Sequence, residues 1–142
     1  MSETDDIAQI ANIRVHNRMR NNSISFENAK LEWGKFYLGD ESHEIPASDI
    51  DKIVVSPGSM EIAQSCGRKS TSTGVEGTMD LYDGKTKICS LYWESPYFST
   101  SNSFKTTGYD PVSSPYAMTV EPWNHGPGAL GDVNITIALM AT

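Results

Sequence analysis

The chain has 142 residues, of which 38% are hydrophobic and 20% are charged, and this length suits a single domain over residues 1–142, with residues 1–6 expected to be flexible. Eighteen acidic residues against eleven basic ones give a formal charge of −7, which disfavours a nucleic-acid partner, because contacts to phosphate need clustered Lys and Arg. The same charge disfavours attraction to anionic lipid, so a membrane target would be neutral or zwitterionic.

Short strands are predicted along the whole chain, because apolar and polar residues alternate and no long window keeps helical spacing. In chain order, the alternating apolar residues are Ile13 and Val15, Met60 and Ile62, Met79 and Leu81, Tyr116, Met118 and Val120, and finally Val133, Ile135, Ile137 and Leu139. Asp83-Gly84 supplies the positive backbone angles of a tight turn, which predicts that MDLY and KICSLYW pair as an antiparallel hairpin. Turn signals recur between the strands, so the predicted fold class is all-β, a sandwich or a barrel.

The sequence predicts a soluble protein without a standard signal peptide. No run approaches the ~18 apolar residues that a spanning helix needs. The opening segment, MSETDDIAQIANIRV, lacks a basic stretch followed by an apolar one. Without an export signal, Cys66 and Cys89 are predicted to be buried thiols rather than partners in a structural disulfide.

Residues with catalytic or metal-binding chemistry are sparse in this sequence. His16, His43 and His125 are isolated, and none has a second His or Cys at ligand spacing, so we expect no metal site and no cofactor. Arg68 stands close to Cys66 and could lower the pKa of its thiol, but the nearby sequence supplies no histidine base. We therefore expect no enzymatic activity and no catalytic residues.

Aromatic residues in polar surroundings give the strongest functional signal. In the segment LYWESPYFS, Tyr92 and Trp93 must point to opposite faces of a strand, so at least one of them belongs to the core. A Ser-Pro pair then ends the strand and leaves Tyr97 and Phe98 in a loop, where burying both rings is difficult. Exposed loop aromatics indicate a membrane-insertion or ligand-contact surface. Glu94 beside them could pair with the cationic end of a zwitterionic headgroup.

Several motifs in a fixed order resemble those of the aegerolysin family. They are LEWGK at 31–35, SCGR at 65–68, EGTMDLYDG at 76–84, YWESP at 92–96 and PGALGDV at 127–133. The segment IAQIANIRVHN also resembles the family's opening strand, so the likeness runs from Ile7 to Leu139.

The resemblance implies a fold, a ligand class and a partner. It implies an antiparallel β-sandwich of short strands, made by fungi or bacteria, that has no enzymatic activity and acts outside the producing cell. The membrane lipids that it implies are sphingomyelin with cholesterol, or ceramide phosphoethanolamine. It also implies a second protein, often one with a membrane-attack-complex/perforin domain, with which such proteins permeabilise membranes; some bacterial pairs kill insects.

The resemblance also transfers a lipid-facing site to this chain by position. Trp33 and Lys35 stand in the WGK motif, and the strand-end aromatic pair is followed by an acidic residue, as is usual in the family. With the loop aromatics, the candidate lipid-binding residues are Trp33, Lys35, Tyr92, Trp93, Glu94, Tyr97 and Phe98. We expect Trp93, Glu94 and Tyr97 to form one membrane-proximal patch to which the sandwich adds Trp33.

Three positions depart from the family pattern. Ile10 stands where a Trp is common, Ser95 replaces a usual Cys, and Tyr97 replaces a usual Trp. Fewer tryptophans at the site imply a different or weaker lipid preference.

Two other functions stay open from the residues alone. Aromatic residues beside Glu and Asn on sandwich loops can also stack on sugars, which is typical of a carbohydrate-binding module. A hydrolase using Cys66, or Glu94 with Glu76, is the third possibility, although no catalytic constellation is assembled in the sequence. Binding to liposomes or to glycans would separate the first two functions, and turnover of a lipid would be needed for the third.

Overall fold

A computed structural model describes residues 9–98 and 101–140. The expectation that residues 1–6 are flexible lies outside the described residues. The described chain is built from strands that are mostly short, joined by turns and by longer loops. The strands are β1 (Ile10–Asn17), β2 (Ile24–Trp33), β3 (Lys35–Leu38), β4 (Asp40–Ile45), β5 (Val54–Val55), β6 (Met60–Cys66), β7 (Val75–Asp83), β8 (Thr86–Ser95), β9 (Ser103–Thr107), β10 (Tyr116–Val120) and β11 (Gly131–Leu139). A single helical turn, α1 (Ala47–Ile50), and a short 3-10 turn, Lys69–Thr71, complete the described elements.

The strands form two sheets that enclose one main core. The six-stranded sheet has the order β10-β11-β1-β6-β3-β4, and the five-stranded sheet has the order β5-β2-β7-β8-β9. Neighbouring strands pair antiparallel, except that β1 pairs parallel with β11. The predicted all-β sandwich is confirmed, and the antiparallel description needs correction at this one pair.

The core is filled by alternate residues of each strand, as the period of two dictates. Along β11, Val133, Ile135 and Ile137 are fully buried, whereas Leu139 at the end of the strand is 47% exposed. Trp93 of β8 is also fully buried, and its indole N–H donates a hydrogen bond of 3.1 Å to the Ser65 hydroxyl on the opposite sheet. The predicted buried face of the last strand is therefore confirmed except for its final residue.

The hairpin of β7 and β8 forms as predicted. The two strands pair antiparallel from Val75 with Ser95 to Asp83 with Thr86. Gly84 has a φ of +60°, whereas Asp83 keeps an ordinary negative φ. The expectation of a positive angle at Asp83 is wrong, because this residue still pairs with Thr86 as the last member of β7. The two turn residues are therefore Gly84 and Lys85, and only Gly84 needs the left-handed region.

Strand β6 turns its larger apolar residues away from the core. Met60 and Ile62 are only partly buried. The fully buried residues that face the main core are Ala63 and Ser65, and Cys66 at the end of the strand is buried in a second, smaller cluster. Small side chains face inward here because the large ring of Trp93 occupies the space opposite and needs the Ser65 hydroxyl as its acceptor. The strand is as predicted, but its buried face is the other one.

Tight backbone packing marks the end of the sandwich where β2 finishes at Trp33 and β8 finishes at Ser95, which we call the aromatic end. Gly74 precedes β7 at this end. A Cβ atom on Gly74 would overlap the Ser95 carbonyl oxygen and lie 2.6 Å from the Tyr97 backbone nitrogen. The loop before β7 therefore presses directly on the segment that follows β8.

Candidate functional site

One row of paired residues crosses the outer face of the five-stranded sheet at the aromatic end. Trp33 of β2 pairs with Glu76 of β7, and Glu76 pairs with Glu94 of β8. Directly paired residues share a face, and two strand spacings place the Trp33 and Glu94 backbones roughly 10 Å apart. Trp33 is 59% exposed, so an open indole ring lies beside two carboxylates.

A second row lies next to the first, one pleat further from the aromatic end. Lys30 pairs with Thr78, Thr78 with Tyr92, and Tyr92 with Lys105. The Lys105 ammonium lies 5.7 Å from the centre of the Tyr92 ring, within cation–π range. The outer face thus carries lysines on both sides of the tyrosine.

The Tyr92 hydroxyl lies between the two carboxylates of the first row. It donates a hydrogen bond of 2.6 Å to Glu76 and approaches Glu94 at 3.4 Å. Burial raises the pKa of Tyr92, and the hydrogen bond to Glu76 with the nearby negative charges raises it further. The hydroxyl therefore stays protonated and serves as a donor, but its single proton is committed to Glu76, which leaves Glu94 the less satisfied carboxylate.

An open pocket lies over these two rows, and we call it the Tyr92 pocket. Its volume, including the mouth, is about 330 Å³. The lining residues are Lys30, Glu32, Glu76, Gly77, Thr78 and Tyr92. Carboxylates, an ammonium group and an aromatic ring are thus within reach of one small ligand.

Beyond the end of β8, the segment 96–98 carries two aromatic rings, and we call it the aromatic loop. Phe98 is 82% exposed, and Tyr97 is half-buried. The two rings meet edge to face, with their centres 4.8 Å apart. This loop leaves a large apolar ring in solvent at the same end of the sandwich as Trp33.

The predicted site residues other than Trp93 separate into three places. Trp33, Tyr92 and Glu94 share the outer face of the five-stranded sheet, and the two aromatic residues after β8 lie in the aromatic loop. Lys35 is half-buried in the six-stranded sheet, where it pairs with Cys66.

Trp93 does not belong to the expected membrane-proximal patch. It has no exposed surface, because alternation along β8 turns it inward when Tyr92 points outward. The expectation that one of these two rings belongs to the core is confirmed, and the expectation that Trp93 lies on the patch is wrong.

Three charged residues of this outer face, Lys30, Lys105 and Glu76, were not predicted as binding residues, and two of them, Lys30 and Glu76, line the Tyr92 pocket. Lys30 and Lys105 carry no motif, and Glu76 was considered only as a hydrolase partner of Glu94. The alternation of β7 and β8 could have placed Glu76 on the outer face, but its exact partner depends on a register shift in the hairpin. Glu76 could have been identified only from its pairing with Glu94 across the two strands, and not from its spacing along the chain.

The proposed nucleophile of a hydrolase is unfavourably placed. Cys66 and Cys89 are both free and fully buried, one in each sheet. Burial raises the pKa of Cys66 to about 11 and that of Cys89 to about 12. Neither thiol is a thiolate near neutral pH, so neither resembles an activated cysteine.

Fold and surface together define a small all-β protein with an aromatic and charged outer face. Within residues 9–98 and 101–140, no three His, Cys, Asp or Glu side chains are grouped so that they could hold a metal ion. In the same part of the chain, no helix combines the length and apolar character needed to cross a bilayer.

Comparison with known proteins identifies the family. The family profile described as Aegerolysin matches residues 8–140. Asp-hemolysin of Aspergillus fumigatus is 34% identical over 138 residues, which cover 96% of this chain and 97% of that protein. The chain belongs to the aegerolysin family, as its motifs predicted. Aegerolysins are lipid-binding, haemolysin-related proteins and are not known enzymes.

Solved structures share the same fold. IP-1A from Alcaligenes faecalis superposes with a TM-score of 0.85 at 31% identity, covering 99% of both chains. RahU, solved in complex with a TRIS molecule, superposes with a TM-score of 0.82 at 29% identity, covering 94% of this chain and 97% of that one. The similarity spans the whole sandwich rather than one sheet.

Proposed function

We propose that this chain binds zwitterionic sphingolipid headgroups through the outer face of its aromatic end, and that it targets a two-component pore-forming toxin or haemolysin to the membrane. The observation that carries the proposal is the exposure of Trp33 and Phe98 at the end of the sandwich where the Tyr92 pocket lies. Exposed aromatic rings favour the boundary between headgroups and acyl chains. The adjacent pocket supplies groups of both signs for a headgroup.

Charge complementarity supports a zwitterionic ligand. Glu94, whose contact with the Tyr92 hydroxyl is long, is the carboxylate most available to an ammonium group. Lys30 and Lys105 lie on either side of the same tyrosine. Lys105 offers positive charge to a phosphate, and so does Lys30 if the phosphate displaces Glu32, with which Lys30 forms an ion pair at 3.1 Å. A net charge of −7 makes nonspecific attraction to anionic lipid a poor alternative.

The expected ligands are sphingomyelin with cholesterol, or ceramide phosphoethanolamine. Both carry a phosphate and a cationic amine in one headgroup, which matches the mixed charges of the pocket. The test is sedimentation of the purified chain with phosphatidylcholine vesicles that contain either lipid, compared with phosphatidylcholine alone. Because phosphatidylcholine and sphingomyelin carry the same phosphocholine headgroup, binding only to the sphingolipid vesicles supports recognition of the sphingolipid as a whole. Equal binding to phosphatidylcholine alone would contradict the sphingolipid preference, and no binding to any vesicle overturns the proposal.

A matched pair of variants assigns the binding to the aromatic end. Phe98→Ser should reduce vesicle affinity about tenfold, since an interfacial aromatic contributes on the order of 1.4 kcal/mol. Val112→Ser removes an equally open apolar side chain, 91% exposed, from the loop before β10, and should leave binding unchanged. Equal losses in both variants would contradict a site at the aromatic end.

The proposed second component is a protein with a perforin-type domain. Haemolysin-related family members support a role in permeabilising membranes, and an insecticidal pair is one form of this proposal. Mixing the chain with candidate partner proteins and measuring dye release from sphingolipid vesicles tests it. Release that requires both proteins supports a two-component toxin.

Carbohydrate binding remains the alternative that the pocket favours most. RahU was solved with TRIS, a molecule that combines an amine with several hydroxyl groups, and sugars share the hydroxyls. Glycan binding without vesicle binding would support this alternative. Vesicle assays should therefore use a buffer without TRIS, and added TRIS should compete if the ammonium group is what the pocket recognises.

A further inference from the structure

The Ser95 hydroxyl is a buried polar group at the end of β8. It accepts a hydrogen bond of 3.1 Å from the Leu130 backbone N–H and donates one of 3.4 Å to the Gln9 side-chain oxygen. A thiol, which is a weak donor and acceptor, would make both contacts poorly. The serine therefore gives this chain a polar connection between the end of β8 and Gln9.

Gln9 carries the connection on to the aromatic loop. Its side-chain amide donates a hydrogen bond of 3.2 Å to the Tyr97 carbonyl oxygen. Its own backbone carbonyl accepts a hydrogen bond of 2.8 Å from the Gly67 N–H. Gln9 immediately precedes β1, so a residue fixed to the six-stranded sheet holds a loop that leaves the five-stranded sheet.

Backbone crowding restrains the same loop from its other side. The absence of a side chain at Gly74 lets the loop before β7 pack directly on the Ser95 carbonyl and the Tyr97 nitrogen. The backbone at Tyr97 is thus held between Gly74 and the Gln9 amide, while Phe98, the next residue, is open to solvent. A fixed backbone beside an exposed ring reduces the conformational entropy lost when the ring enters a membrane interface.

We infer that Gln9 and Ser95 are positioning residues that hold the aromatic loop in its membrane-binding conformation. The inference rests on the proposed lipid-binding function and adds to it residues that need not touch lipid. Gln9 contacts the backbone of Tyr97, which is next to Phe98 in the chain. We therefore expect Gln9 to affect membrane binding by holding the Phe98 ring in place. Loss of the Gln9 amide should therefore matter only while the Phe98 ring is present.

A double-mutant cycle with Gln9→Met and Phe98→Ser tests this inference. Methionine keeps the length of the side chain but removes both of its hydrogen bonds. Vesicle affinity should fall about fivefold in Gln9→Met, the loss expected for the one of these two hydrogen bonds that reaches the aromatic loop, at the Tyr97 carbonyl. In the Phe98→Ser background, the same change should lower affinity less than twofold.

Two further variants separate positioning from general stability. Gln64→Met removes a glutamine that accepts a hydrogen bond from the Gly39 N–H on the six-stranded sheet, and it should bind vesicles normally. Ser95→Cys, which keeps the shape of the side chain, should reproduce part of the Gln9→Met loss. All binding is measured well below the melting temperature of the least stable variant, so that unfolding does not contribute.

The outcomes distinguish the inference from the function on which it rests. If the unsubstituted chain binds no sphingolipid vesicle, the proposed function fails. If it binds, but Gln9→Met has no effect or lowers affinity equally with and without Phe98, the positioning role is wrong while lipid binding stands.

Discussion

Two tryptophans show how the face of a strand decides the role of a residue. Trp33 lies open at the end of β2, and Trp93 fills the core from β8. Truncation of a buried Trp costs about 3 to 5 kcal/mol of folding free energy, whereas a surface change costs about 0.5 kcal/mol. The same substitution should therefore have opposite effects at the two positions.

We predict that Trp33→Ala weakens vesicle binding about tenfold with little loss of stability, a loss of on the order of 1.4 kcal/mol in binding. Trp93→Ala should lower the free energy of unfolding by about 3 to 5 kcal/mol, because it leaves a cavity and removes the donor to Ser65. Urea denaturation and vesicle titration measure the two effects. A large loss of stability in Trp33→Ala would show that this ring is part of the core after all.

The Tyr116 hydroxyl predicts a loss of stability in alkali. Burial, together with the hydrogen bond to Asp83 and its negative charge, raises the pKa of Tyr116 to about 12. Because the unfolded chain releases this proton near the ordinary value of about 10, raising the pH above 10 favours the unfolded state until the folded value is passed. The free energy of unfolding should fall by roughly 2 kcal/mol between pH 10 and 12 through this group.

Tyr116→Phe is the variant that isolates this contribution. It should show a smaller fall in the free energy of unfolding over that pH range, measured by denaturant titration at each pH. Tyr82→Phe, in the other sheet, serves as the control and should keep the decline of the unsubstituted chain. Identical pH profiles for Tyr116→Phe and the unsubstituted chain would contradict the assignment.

At the scale of elements, the free edge of β10 is covered by side chains. The Tyr109 hydroxyl donates to the Tyr116 carbonyl at 2.9 Å and accepts from the Met118 N–H at 3.1 Å. The Ser114 hydroxyl accepts from the Tyr116 N–H at 3.1 Å. These bonds satisfy edge groups that would otherwise be available to a strand of another molecule.

We predict that Tyr109→Phe increases self-association of the protein. The change exposes a carbonyl and an N–H on the edge of β10 and costs about 1 kcal/mol of stability for the lost hydrogen bonds. Sedimentation velocity over a range of concentrations measures the association, with Tyr82→Phe as a matched loss of one hydroxyl. A strictly monomeric Tyr109→Phe protein would show that this edge is protected by other means.

The hairpin of β7 and β8 shows which part of the fold is readable from sequence. Alternation and the Asp-Gly turn predicted the strands, their pairing and the closing turn. The register away from the turn was not predictable, because an extra residue near Ile88 shifts the pairing between Leu81 and Tyr82. An unshifted hairpin would set Glu76 opposite Trp93, and only the shift sets it opposite Glu94.

The candidate site, like the hairpin, could be predicted from sequence only in part. The segment LYWESPYFS identified the end of β8 and its loop, because a strand that ends in Ser-Pro leaves the next aromatics outside the sheet. Two features depend on contacts between distant segments. One is which face of β6 is buried, and the other is the pairing of β2 with β7 that sets Trp33 beside Glu76. Those contacts are set by the packing of two sheets, which no local pattern encodes.

At the scale of the whole molecule, Trp33 and Phe98 give the aromatic end two exposed rings. No described helix is long enough to cross a bilayer, and the exposed rings at the aromatic end suit shallow insertion. We predict that the purified chain releases no dye from sphingolipid vesicles that it binds. Fluorescence dequenching at concentrations that saturate binding tests this, and substantial release by the chain alone would contradict a purely targeting role.

The parallel pairing of β1 with β11 fixes a direction for the molecule. Both strands begin at the aromatic end, and β11 finishes at Leu139, about 30 Å further along the sandwich if nine extended residues are counted. A fluorophore attached through Met140→Cys would therefore stand on the side away from a bound bilayer, and the two buried native thiols would not compete for the label. Energy transfer from such a probe to a lipid dye would measure the height of the protein above the membrane, and so whether it stands upright or lies flat.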